Sequence, residues 1–90
     1  MKIDVYDSFA TSTNGELLHF DVLVERGTSK EEALKFGRAF LSDIGEDPGG
    51  LDLARCNYCH SENANSKIED AIHETGFFIL QMEGCPNPVA

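Results

Sequence analysis

The sequence predicts an α+β domain of two layers, with strand order ββαβαβ, one mixed four-stranded sheet and two helices. Three observations carry that expectation. Apolar residues alternate with period two through the first part of the chain, two later stretches open with helix-start signatures, and an apolar run precedes a proline-containing tail. A chain of 90 residues is the size of one compact domain and too small for two independent cores. We assign residues 1–85 to that domain and 86–90 to a C-terminal tail.

Ile3, Val5 and Phe9 alternate with Lys2, Asp4 and Ser8, interrupted at Asp7, which reads as a half-buried first strand. Leu18, Phe20, Val22 and Val24 repeat the pattern, with His19, Asp21 and Glu25 on the other face. The turn-rich Thr11-Ser12-Thr13-Asn14-Gly15 between them makes the pair an antiparallel hairpin. Thr28-Ser29-Lys30-Glu31 has capping-box spacing, followed by an apolar stripe of Ala33, Phe36, Gly37, Phe40 and Ile44 and by Gly45 as a C-terminal cap. Leu51 to Arg55 is the third strand expected, leading into the cysteine segment. Ser66-Lys67-Ile68-Glu69 is a second capping box, and the helix it opens ends at Gly76. Phe77 to Met82 is apolar on both faces, as an interior strand covered on two sides would be.

If both helices are right-handed crossovers, strands two, three and four run parallel and end at one edge of the sheet. Cys85 then approaches Cys56 and Cys59, and His19, near the start of strand two, lies at the opposite edge.

Sixteen acidic against seven basic residues give a formal net charge of -9, which repels phosphate backbones and anionic membrane surfaces. Nucleic acid and membrane are therefore excluded as partners, and a protein partner or a cation is favoured. The N-terminal stretch from Met1 to Asp7 has acidic residues where a secretory signal needs an apolar run. With three cysteines, an odd number, the expectation is a cytoplasmic protein with free or metal-bound thiols.

Cys56-Asn57-Tyr58-Cys59-His60 is the stretch that carries chemistry. Cys56, Cys59 and Cys85 offer three thiolates to a tetrahedral ion, with His60 or water completing the set, and zinc is the metal expected. Adjacent Cys59 and His60 diverge unless the backbone turns. A dithiol redox centre of Cys56 and Cys59 is the alternative, but the next helix start, at Ser66, comes too late to lower a thiol pKa. Cys-x-x-Cys-His is also the haem-attachment pattern, which needs export. The plain reading treats the cysteines as small buried hydrophobes in a structural or protein-interaction module.

His19 and Asp21 share the outer face of strand two and can pair, while Asp4, Asp7 and Asp21 can approach one another on the hairpin and hold a hard cation. No phosphate loop, nucleophile elbow or His-Glu-x-x-His helix is present, so neither catalytic nor cofactor-binding residues are assigned and a binding role is expected before an enzymatic one.

From Ile3-Asp4-Val5-Tyr6-Asp7 and Leu18-His19-Phe20-Asp21-Val22 to Cys56-Asn57-Tyr58-Cys59-His60-Ser61 and Met82-Glu83-Gly84-Cys85, nearly the whole chain resembles the uncharacterised bacterial family named domain of unknown function twenty-twenty-four. The resemblance implies a small strand-and-helix domain and no reaction, substrate or cofactor. It matches His19, Cys56, Cys59, His60 and Cys85 as the candidate functional group.

Overall fold

The hairpin forms the middle of the sheet. In the computed structural model, which describes residues 1–89, β1 (Lys2–Thr11) and β2 (Leu17–Glu25) pair antiparallel, with Asp7 opposite Asp21 and Phe9 opposite His19. Helix α1 (Lys30–Asp43) follows, its first turn closed by Ser29, whose side chain accepts from the Glu32 amide. Two short 3-10 turns, Pro48–Gly50 and Leu53–Arg55, then lead to β3 (Asn57–Asn63). Helix α2 (Ser66–Thr75) is capped by Asn65 and ends on Gly76 at φ 94, and β4 (Phe77–Gln81) completes the order ββαβαβ.

The sheet order is β3-β1-β2-β4 and every pairing is antiparallel, which corrects the mixed sheet expected from the sequence. The chain leaving α1 crosses the hairpin and adds β3 to the free edge of β1 instead of lying parallel beside β2. β4 takes the free edge of β2, so the apolar last strand is an edge strand covered on both faces rather than an interior one. The third strand is the cysteine segment itself. Leu51 makes only an isolated bridge to Ala10, and Leu53–Arg55 is a helical turn.

Alternation along the strands separates two cores. Tyr6, Ala10, Leu18, Phe20, Val22 and Val24 pack with Ala33, Phe40 and Leu41 of α1. Ile3, Val5 and Leu23 pack on the other side with Ile72 of α2, together with Ile68, Phe78 and Leu80. The helices therefore cover opposite faces, and the fold has three layers where two were expected. α2 reaches only the part of its face around Ile3, Val5 and Leu23. Farther along the hairpin that face is open, and its residues are Asp7, Phe9, His19 and Asp21.

The chain after β4 folds back on the sheet. Gly84 turns at φ 83, where a side chain would collide with the Leu17 carbonyl, and delivers Cys85 into the α1-side core. Beyond it, the Val89 amide donates to the Gln81 carbonyl at 3.0 Å and the Asn87 amide to Gln81 Oε1 at 3.0 Å, so the tail is tied to β4. Ala90 lies outside the described residues. Among the described residues, no helix is long and apolar enough to cross a membrane.

Candidate metal centre on the open face of the hairpin

Register and pleat bring three ligating side chains together. Directly opposed residues of an antiparallel pair share a face, as do residues two apart on one strand. Asp7 opposite Asp21, with His19 two positions before Asp21, therefore converge on the face that α2 leaves open. One ligand atom from each lies within 4.8 Å of the others, and among the described residues this is the one such group of three or more.

His19 is fixed on two sides. Its Nε2 donates to Asp7 Oδ1 at 2.5 Å, and its ring stacks on Phe9 with centroids 4.3 Å apart and planes 6° from parallel. The Arg55 guanidinium covers the other face of Phe9 at 4.0 Å. Asp21 is the least satisfied member: its Oδ1 is out of solvent and has no hydrogen-bond partner. Burial pushes its carboxyl up to about 6, and Asp7, which competes for the same proton and repels a second negative charge, adds to the rise. His19 and His60 oppose that rise. The group thus holds two carboxyls whose joint ionisation is costly, so that Asp21 gives up its proton only as pH rises through about 6.

The cysteines are placed differently. Cys56 is fully buried on the α1 side, its Sγ 3.1 Å from Ser8 Oγ. Cys85 is also buried and donates its thiol to the His19 carbonyl at 3.4 Å. Burial raises the pKa of both thiols, the state of packed rather than reactive cysteines. Cys59 is exposed on β3. Cys56, Cys59, Cys85 and His60 do not form a converging ligand group: two sulfurs are buried against different strands, β1 and β2, and the third faces solvent. The expected gathering at one rim depended on parallel neighbours that this sheet lacks. Cys85 does reach the same end of the sheet as Cys56, and so does His19, which the parallel arrangement had set apart. Closing Cys56 on Cys59 is equally hindered, because Cys56 is buried with its thiol against Ser8 while Cys59 is exposed.

The turn that Cys59 and His60 need does exist. β3 pairs His60 with Val5 but Tyr58 with Tyr6, so Cys59 is the extra residue of a bulge. The bulge brings His60 Nδ1 to 3.3 Å from Cys59 Sγ, and His60 Nε2 lies 3.6 Å from Glu62 Oε2.

The sequence suggests a His19–Asp21 pair on one strand and, separately, an approach of Asp4, Asp7 and Asp21, without joining His19 to Asp7. The partner is Asp7 across the hairpin. Asp4, the third carboxylate considered, points to the other face, where Ser61 Oγ and the Gly27 amide donate to it and lower its pKa. The Arg55–Phe9–His19 stack carried no sequence signal, since Arg55 arrives from a distant turn.

The solution structure of protein NE1680 from Nitrosomonas europaea is similar to this one, with 38% sequence identity, a TM-score of 0.81, and coverage of 94% of this chain and 99% of that chain. No curated protein matches the chain. The profile of the family described as domain of unknown function (DUF2024) matches residues 1–82, which is most of the chain. On that match, and in agreement with the resemblance carried by the hairpin and cysteine segments, the protein belongs to the DUF2024 family.

Proposed function

We propose that this protein is a small cytoplasmic binding domain that takes up a divalent cation at Asp7, His19 and Asp21, its acidic surface serving a protein partner. The supporting observation is the convergence of two carboxylates and one imidazole within 4.8 Å on an uncovered face. A cation there offsets the cost of holding two ionised carboxylates side by side, and it gives Asp21 Oδ1 the partner it lacks. In this reading Cys56 and Cys85 are packing residues, and the zinc-like chemistry expected of the cysteines belongs to the hairpin.

Binding requires Asp21 to lose its proton, so affinity rises with pH through about 6. Isothermal titration of zinc into metal-free protein tests this. The expected result is one site per chain, about tenfold weaker at pH 5 than at pH 7, since only about a tenth of a group titrating near 6 is ionised at pH 5. Asp21→Asn should abolish the site. Equal affinity in that variant, or no binding to the wild type, refutes the proposal.

A further inference from the structure

We infer that His60 is a fourth protein ligand of this site, so that the ion held is a nitrogen-accepting first-row metal of the zinc or cobalt(II) class rather than magnesium or calcium. The inference rests on the cation reading above and adds to it the ligand set and the ion class.

Three observations carry it. First, His60 stands opposite Val5, and Val5 belongs to the face that bears Asp7, so the imidazole and the Asp7–His19–Asp21 group lie on the same side of the sheet. Second, the bulge falls between the pairs Val5–His60 and Tyr6–Tyr58, directly beside Asp7 on β1. Bulges re-aim side chains, and this one interrupts the β3 ladder two residues from Asn57, the partner of Asp7. Third, His60 is half-exposed, at 51%, and its contacts are a loose one to Glu62 at 3.6 Å and one to the neighbouring thiol at 3.3 Å. Neither fixes the ring as Phe9 and Asp7 fix His19.

Asp21 Oδ1, shielded from water and unpartnered, leaves an acceptor for the ion to satisfy. One imidazole beside two carboxylates is compatible with many divalent ions. Two imidazoles and two carboxylates favour first-row metals such as zinc and cobalt(II) over magnesium and calcium, which prefer oxygen donors throughout.

Cobalt(II) absorption and competitive zinc titration of the full chain decide the matter, using the wild type, His60→Ala and Asp21→Asn. The wild type should show the intense visible bands of four-coordinate cobalt(II), and micromolar zinc should displace them where millimolar magnesium or calcium does not. His60→Ala should weaken zinc at least about tenfold, the smallest effect of losing even a supporting group at such sites. It should also shift the cobalt bands while leaving the unfolding midpoint of metal-free protein unchanged. If zinc binds the wild type and His60→Ala equally, with identical cobalt spectra, while Asp21→Asn abolishes binding, this inference is overturned and the hairpin site stands. If the wild type binds neither ion, both fall.

Discussion

Asp21 is a carboxyl held where ionisation is costly. Its folded pKa lies near 6 against an ordinary value of 3.8, so between those values the native state keeps a proton that the unfolded chain has released. The stabilisation this gives is complete below about pH 4 and is lost as pH rises through 6. Asp21→Asn keeps the neutral shape at every pH. In chelator, urea unfolding should show the variant more stable than the wild type at pH 7.5, and the difference should vanish near pH 4. Partial exposure screens the penalty to on the order of 1 kcal/mol. A variant no more stable at pH 7.5 would mean that Asp21 ionises freely. The same change should remove metal binding, the expected opposition of stability and function at a strained site. The sequence made these residues visible because alternation put His19 and Asp21 outside the apolar face of β2. It did not show that Asp7 is the partner, since that follows from the register across the Thr11–Gly15 turn, and a shift of one residue would send Asp7 to the other face.

Among the elements, those with local signals were the ones sequence could locate. Both helices begin beside the predicted caps, although Ser29 rather than Thr28 closes α1 and Asn65 rather than Ser66 closes α2. Gly76 ends α2 as expected, and its φ of 94 suits glycine alone. Gly76→Ala should cost about 1–2 kcal/mol for the left-handed backbone. The added carbon would also meet Phe36 Cζ at 3.1 Å, so thermal unfolding should show a clear loss, whereas Gly45→Ala, with open space around it, should cost only the backbone penalty. β3 gave no such signal. Asn57–Asn63 is exposed at every position, so no apolar alternation marks it as a strand. It is held by its backbone ladder to β1 and by few side chains: Ser61 donates to Asp4, and Tyr58 meets the Tyr6 ring edge-on. A polar edge strand is a device against edge-to-edge association, and here it also leaves His60 half-exposed.

At the scale of the whole molecule, the open face follows from a mismatch of lengths. α2, with ten residues, is about 15 Å long, and β1, also with ten, is about 33 Å, so one short helix cannot cover its side of the hairpin. Nothing in the apolar pattern states which face each helix takes or which edge β3 joins, because either choice buries the same residues. That is why the two-layer, mixed arrangement read as well from sequence as the antiparallel three-layer one. Net charge of -9 on a chain this small acts against the compact state, and general screening by sodium chloride should raise the melting temperature gradually. A specific cation acts differently. Zinc at about 100 times its dissociation constant adds about 2.7 kcal/mol, worth roughly 10 °C or more for a domain of this size. Calorimetry at constant ionic strength separates the two effects: the zinc increment should persist in 0.15 M salt, where exposed charges are screened, and should disappear in Asp21→Asn. An increment that salt abolishes, or that the variant retains, would assign the ion to the diffuse acidic surface instead of the hairpin.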